Sequence, residues 1–277
     1  MAISRYVEVN GLRLHYLDYG GVGLKPLVCI HGLTGNAHNF DPVAPNFVAK
    51  YHVISLDVRG RGDSQWGPPQ NYNYATYVSD LAAFLDLLNF DRVSLLGTSM
   101  GGIISMIYAG DFPDRVERLA LNDIGPELNP VGLARIVDYV SHAPLEFGSF
   151  AEVIEYYRRT YPPAAGVSEE RLAEFSRWAV RETENGRFTW KMDPEVRKLR
   201  AAQADSSLAT LWDSYRRIKA PVLVLRGAES DLLSAETVRK MCEAHPNTEV
   251  VELPGVGHAP FLTEPQALSA LRKFFGC

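Results

Sequence analysis

Five residues, Gly97-Thr98-Ser99-Met100-Gly101, connect the apolar run Arg92-Val93-Ser94-Leu95-Leu96 to a second one, Gly102-Ile103-Ile104-Ser105-Met106-Ile107. The first run reads as a strand and the second as a helix. A strand that passes into a helix through G-x-S-x-G turns so tightly that only small residues fit on either side of the serine. The Ser99 hydroxyl is then pushed out of the turn, and the backbone N–H of Met100 points to the start of the helix, where a developing negative charge can rest. The pentapeptide by itself occurs by chance in many proteins; its place between a strand and a helix gives it weight.

The surrounding chain supplies more units of the same kind. Tyr6 to Val9 and Leu12 to Asp18 alternate in polarity and are joined by Asn10-Gly11, which predicts an antiparallel hairpin with a type I′ turn. Pro26 to Ile30 and Tyr51 to Leu56 are short apolar runs, as expected of strands covered on both faces. Between Tyr74 and Asn89 the residues Tyr77, Leu81, Phe84, Leu85 and Leu88 recur at helical spacing. Arg118 to Leu121 reads as a further strand. After Asn122-Asp123-Ile124-Gly125-Pro126 the pattern changes, and no parallel strand is evident until about Lys219. Helices are predicted there over Val131 to Val140, Phe150 to Thr160, Glu169 to Val180 and Leu208 to Ile218, with breaks at Pro162-Pro163 and Asn185-Gly186. Strands resume at Pro221 to Leu225 and Thr248 to Glu252, and a last helix is expected from Pro265 to Phe275. These observations predict an α/β architecture with a helical insertion, and a site at the C-terminal ends of the strands. Residues 1–123 and 220–277 form the expected core, and 124–219 the expected cap.

Composition excludes several classes. The chain of 277 residues has 46% hydrophobic and 22% charged residues and a net charge of −5, with no cluster of Lys and Arg suited to nucleic acid. Arg158-Arg159 and Arg216-Arg217 have acidic neighbours and read as solvated helix faces. Cys29, Cys242 and Cys277 fit no metal or redox spacing, and Cys29 sits in an apolar run as a small core residue. His15, His52, His142 and His245 likewise match no metal-ligand pattern. No cofactor, metal, nucleic acid or membrane is expected as a partner. With no apolar leader segment, the expected compartment is the cytoplasm, and the expected state a monomer or homodimer.

A serine becomes a nucleophile when a base takes its proton and a carboxylate orients that base. His258, in Gly255-Val256-Gly257-His258, follows the strand Thr248 to Glu252, and Asp231 follows the strand Pro221 to Leu225. Ser99, Asp231 and His258 in that order are the expected catalytic set. Asp123, which also follows a strand, is the alternative acid, and Glu229 a weaker one. His38 and Trp190 are candidates for the substrate pocket; a polar loop residue and a packed ring of the cap are the competing readings.

These motifs, with His31-Gly32 and Asp57-Val58-Arg59-Gly60-Arg61-Gly62-Asp63-Ser64, resemble the serine-nucleophile members of the α/β-hydrolase superfamily over nearly the whole chain outside the cap. The resemblance implies a mostly parallel eight-stranded sheet flanked by helices and an inserted helical cap. It also implies that Leu33, after the His-Gly pair, shares the oxyanion hole with Met100. Asp57, Arg59 and Asp63 would brace the loop behind the site, and His31 would tie its own loop. A serine at the elbow excludes the alkyl-ester route of relatives that carry aspartate there. The expected activity is hydrolysis of a carboxylic ester with a small, largely apolar acyl group, given the many aromatic residues of the cap. The elbow is also similar to those of hydrolases that cleave carbon–carbon bonds in aromatic catabolism, although Leu33-Thr34-Gly35-Asn36 departs from their Gly-Pro-Gly-type loop. Lactone hydrolysis is a further alternative. A small-molecule receptor with an intact triad and little turnover is the reading from a different class.

Overall fold

The computed structural model describes residues 2–160, 167–198 and 210–277. The chain opens with β1 (Ile3–Val9) and β2 (Leu12–Gly20), paired antiparallel with Val9 opposite Leu12. Asn10 and Gly11 both take positive φ, 48° and 76°, as a type I′ turn demands. There follow β3 (Lys25–Ile30), β4 (Tyr51–Leu56), α1 (Tyr74–Leu87), β5 (Val93–Thr98), α2 (Met100–Asp111) and β6 (Val116–Asn122). The segment after β6 carries α3 (Pro130–Ser141), β7 (Glu146–Phe147), α4 (Phe150–Thr160), α5 (Glu169–Ala179), β8 (Val180–Glu182), β9 (Phe188–Trp190), the single turn α6 (Glu195–Lys198) and α7 (Leu211–Arg217). The chain then closes with β10 (Val222–Gly227), α8 (Ala235–Ala244), β11 (Thr248–Leu253) and α9 (Pro265–Phe275).

The main sheet has eight strands in the order β1-β2-β4-β3-β5-β6-β10-β11, and β2 runs antiparallel to both of its neighbours while the rest are parallel. Strand periodicity sorts its side chains onto two faces. Val28, Ile30, Leu95, Leu119, Leu121 and Val224 enter one core with α1 and α2, whereas Leu27, Cys29, Leu96, Ala120, Leu223 and Leu225 enter the other with α9. The central strands β3, β5 and β10 are therefore dry on both faces, which accounts for their uninterrupted apolar runs, whereas the edge strands β1 and β11 are largely exposed. Burial pushes the Cys29 thiol well above its ordinary pKa, as befits a packed core residue.

Two elements were not foreshadowed by the periodicity. β7, β9 and β8 form a small antiparallel sheet within the inserted segment. Strands of two and three residues are too short to show alternation. Helix α8 buries little besides Thr237, Val238 and Met241, so its apolar stripe is thin; its start is marked by Ser234, whose Oγ accepts from Thr237 N–H at 2.9 Å. The expected break at Pro162-Pro163 and the first residues of the helix expected over Leu208 to Ile218 lie outside the described residues; the remainder of that helix is α7.

Candidate active site

Ser99 links β5 to α2 with φ 51° and ψ −116°, a conformation that costs a non-glycine residue on the order of 1–3 kcal/mol and needs support around it. The support is backbone. Ser99 N–H donates to Asn122 C=O and Ile103 N–H to Ser99 C=O, both at 3.1 Å. A Cβ on Gly97 would stand 2.5 Å from Gly101 O, and one on Gly101 would stand 2.1 Å from Ile30 O. The small residues of the motif are thus space requirements of the turn, which brings strand, helix and β3 together.

His258 reaches this turn from the loop after β11. Its Nε2 lies 3.0 Å from Ser99 Oγ and its Nδ1 lies 2.8 Å from Asp123 Oδ2. With the Nδ1 proton donated to the carboxylate, Nε2 is left to accept from the serine hydroxyl. Asp123 is wholly buried. Its Oδ1 accepts from Gly227 N–H at 2.9 Å and its Oδ2 from Ser230 Oγ at 2.6 Å. Such donors stabilise a buried carboxylate and hold its plane fixed.

The carboxylate on His258 is therefore Asp123 and not Asp231. β6 stands between β5 and β10 in the sheet, and Asp123 is the first residue beyond β6. The loop after β10 sends Ser230 inward instead, and turns Asp231 outward to Arg135 of α3, with Nε–Oδ2 and Nη2–Oδ1 distances of 2.5 and 2.8 Å. That bidentate hydrogen bonding holds the Asp231 carboxyl below the usual carboxylate range, with burial opposing and the Arg135 charge adding to it. Asp231 also accepts from Gly132 N–H through its backbone oxygen, at 3.1 Å, so α3 is seated on this loop.

Ser99, His258, Leu33 and Met100 line one cleft. Its walls are largely apolar, with Leu128, Ile136 and Phe175 contributed by the inserted segment. Neither His38 nor Trp190 is among the lining residues. His38 stacks flat on Trp178 of α5, with ring centroids 3.6 Å apart and planes 5° apart, while its Nδ1 donates to Asp41 at 2.8 Å. It ties the loop after β3 to the inserted segment. Trp190 is 5% exposed and packs edge-on against Phe147, Tyr156 and Tyr157, with Nε1 donating to Pro144 C=O at 2.7 Å. The large ring is more useful in an apolar core than at a wet surface.

A family profile described as alpha/beta hydrolase fold matches residues 25–265. The chain belongs to the alpha/beta hydrolase fold family. It is 36% identical over 272 residues to the 3-hydroxybutyrate-oligomer hydrolase of Cupriavidus necator, covering 95% of this chain and 92% of that protein. It is 26% identical over 263 residues to the esterase YbfF of Escherichia coli, covering 90% and 92%. Among solved structures, an alpha/beta hydrolase from Novosphingobium aromaticivorans superposes with a TM-score of 0.90 at 31% identity, covering 99% of this chain and 98% of that one. As a member of this family the chain is a hydrolase.

In this hydrolase the loop after β4 backs the cleft. Asp57 accepts from Ala37 N–H at 2.6 Å, from Asp63 N–H at 2.8 Å and from His15 Nδ1 at 2.7 Å. Burial works against its ionisation, but the His15 hydrogen bond and the neighbouring donors leave the carboxyl below its ordinary pKa. His15, Asp57 and Asp63 lie close enough to suggest a metal set, yet their polar atoms are engaged with one another and Asp63 is paired with Lys191 at 2.9 Å. Arg59 pairs with Asp80 at 2.5 and 2.6 Å, both buried. Ser230, which donates to Asp123, and Arg61, which donates to Leu33 C=O, are residues that sequence reasoning passed over. Ser230 was hidden by its acidic neighbours, and Arg61 stood in the quoted motif without a role.

His31 is fully buried, donates from Nδ1 to Gly32 C=O at 2.6 Å and accepts at Nε2 from Val58 N–H at 3.1 Å. Burial pushes its pKa down to about 4. A histidine kept neutral in the fold contributes stability that is complete above its unfolded pKa of about 6.5 and is lost as pH falls from there toward about 4. Lowering the pH from 7.5 to 5.0 is expected to remove about 2 kcal/mol through this group. Urea unfolding at the two pH values checks this, because His31→Asn should flatten the difference; an unchanged pH dependence in that variant refutes the attribution.

Proposed function

We propose that this hydrolase cleaves carboxylic esters with a short, largely apolar acyl part, through an acyl-enzyme on Ser99. The observation that carries the reading is the hydrogen-bonded chain from Ser99 Oγ through His258 to Asp123, opening into a mostly apolar cleft. In the first half-reaction His258 Nε2 takes the Ser99 proton as Oγ bonds to the substrate carbonyl carbon. The carbonyl electron pair moves onto oxygen, where the Leu33 and Met100 N–H groups receive it. Collapse re-forms the carbonyl and breaks the bond to the leaving alkoxide, which takes the proton from His258. Water then gives a proton to Nε2 and attacks the acyl carbon, and the carboxylic acid departs as Ser99 regains its hydrogen. Asp123 keeps His258 in the Nδ1–H tautomer throughout and stabilises the imidazolium. Residues 124–219 serve as the cap that covers the acyl group, Asp231 and Arg135 being part of its seat.

Support for the bond type comes from similarity to an esterase and to a hydrolase of 3-hydroxybutyrate oligomers, since linear oligomers of a hydroxy acid are joined by esters. Oligomers of 3-hydroxybutyrate and p-nitrophenyl esters of graded chain length are the substrates to try. A fluorophosphonate probe is expected to add to the peptide carrying Ser99, as located by mass spectrometry, with hydrolysis falling in step with labelling. A folded protein that takes no label, or that is labelled elsewhere, defeats the proposal.

A further inference from the structure

Arg61 is 1% exposed, larger than most groups a protein encloses, and sits directly behind the elbow and the Leu33 loop. Its Nε donates to Leu33 C=O at 3.3 Å and its Nη2 lies 3.5 Å from Met100 Sδ. Nη1 donates to Arg59 C=O at 2.9 Å and to Tyr77 OH at 2.8 Å. The rings of Tyr72 and Tyr77 flank the guanidinium, with centroids 5.7 and 5.0 Å away. Every one of these partners is neutral. Among the described residues no carboxylate lies within 4.0 Å of it, whereas Arg59, two residues earlier, is paired with Asp80. A buried cation without a counter-ion is costly, and hydrogen bonds to neutral groups satisfy its donors without cancelling its charge.

The two segments that this one side chain joins are distant in sequence. One follows β3 and the other begins α2, and each supplies one of the N–H groups assigned above to the substrate oxygen. We propose that Arg61 is a positioning residue of the oxyanion hole, which fixes the Leu33 and Met100 segments from behind and whose unneutralised charge favours the oxyanion over the neutral carbonyl. The inference rests on the ester-hydrolase reading and deepens it. In a low-dielectric interior an uncompensated charge acts over several ångströms, and because it is fixed before reaction it costs no reorganisation when negative charge appears. Its effect falls on the transition state and hardly on the uncharged substrate, so it belongs to kcat and not to KM.

The test compares wild type with Arg61→Met, which keeps much of the side-chain volume without the charge, and Arg61→Lys, which keeps the charge without the fork. The readouts are kcat and KM on p-nitrophenyl butyrate, urea midpoints, and inhibition by a trifluoromethyl ketone, which binds serine as an ionised hemiketal, against its methyl ketone counterpart. Arg61→Met is expected to lower kcat about 10- to 100-fold with KM within about threefold, and to weaken the trifluoromethyl ketone by a similar factor but not the methyl ketone. Arg61→Lys should recover part of both losses. A folded Arg61→Met with wild-type kcat, or with its loss confined to KM, overturns the proposal. If Arg61→Met does not fold, Arg61→Lys decides: a kcat about 3- to 10-fold down at constant KM supports it, and wild-type kcat overturns it. Failure of both variants to fold assigns Arg61 to stability and overturns it as well. A wild type that neither hydrolyses esters nor binds the trifluoromethyl ketone overturns the ester reading along with this one, whereas an active wild type with an unaffected Arg61→Met overturns this one alone.

Discussion

Asp123→Asn is expected to lower kcat by about 10⁴-fold near neutral pH, while Asp231→Asn stays within about tenfold of wild type. Asparagine is nearly isosteric, so Ser230 Oγ and Gly227 N–H still surround the group, but an amide presents one acceptor where the carboxylate presents two. Either an amide N–H faces a donor, or His258 loses the acceptor that keeps its proton on Nδ1. In the second case Nε2 carries the proton, and Ser99 faces a donor in place of a base. Some stability is lost too, on the order of 1–3 kcal/mol for a buried donor left unpaired. Asp231 has a different task. Its side chain is 30% exposed and grips Arg135, so the amide loosens the seat of α3 without touching the proton path. Steady-state kinetics with urea midpoints on both variants make the comparison, and a steep loss in Asp231→Asn with Asp123→Asn near wild type would remove Asp123 from its assigned role.

Gly101→Ala is expected to cost at least about 3 kcal/mol, or to leave the protein insoluble. The added Cβ meets Ile30 O at 2.1 Å and His31 O at 2.7 Å, and both atoms are backbone. Relief requires α2 to move off the end of β3, which would pull Met100 away from Leu33 and spoil the proposed oxyanion site even if the chain folds. Gly186→Ala is the matched control: Gly186 has φ 76° but nothing within 4 Å of where its Cβ would stand, so only the left-handed conformation penalises alanine, by about 1–2 kcal/mol. Chemical denaturation of the two variants separates steric exclusion from backbone preference, and equal costs would mean the crowding at Gly101 is relieved cheaply.

Much of the core was legible because its signals are local. A two-residue turn of Asn10 and Gly11 fixes a hairpin, and strands covered on both faces leave apolar runs such as Leu27 to Ile30. The G-x-S-x-G turn is determined by crowding among residues near in sequence, and so Ser99 is found where the motif places it. The small β7-β9-β8 sheet and α8 escaped notice because short strands and thin apolar stripes carry little periodicity.

The sequence by itself determined the sheet with its strand-turn-helix elbow, the serine at its tip and the histidine that reaches it, because each follows from local sterics or from the order of strands. The tertiary structure alone decided which carboxylate serves His258 and where His38, Trp190 and Arg61 place their side chains. Asp123 and Asp231 both follow a strand, and no local property separates them. What separates them is direction: Gly227 N–H and Ser230 Oγ draw Asp123 inward beneath His258, while Arg135, distant in sequence, draws Asp231 away. Those pulls come from residues brought together only by folding, and a side chain's rotamer answers to the partners it finds there.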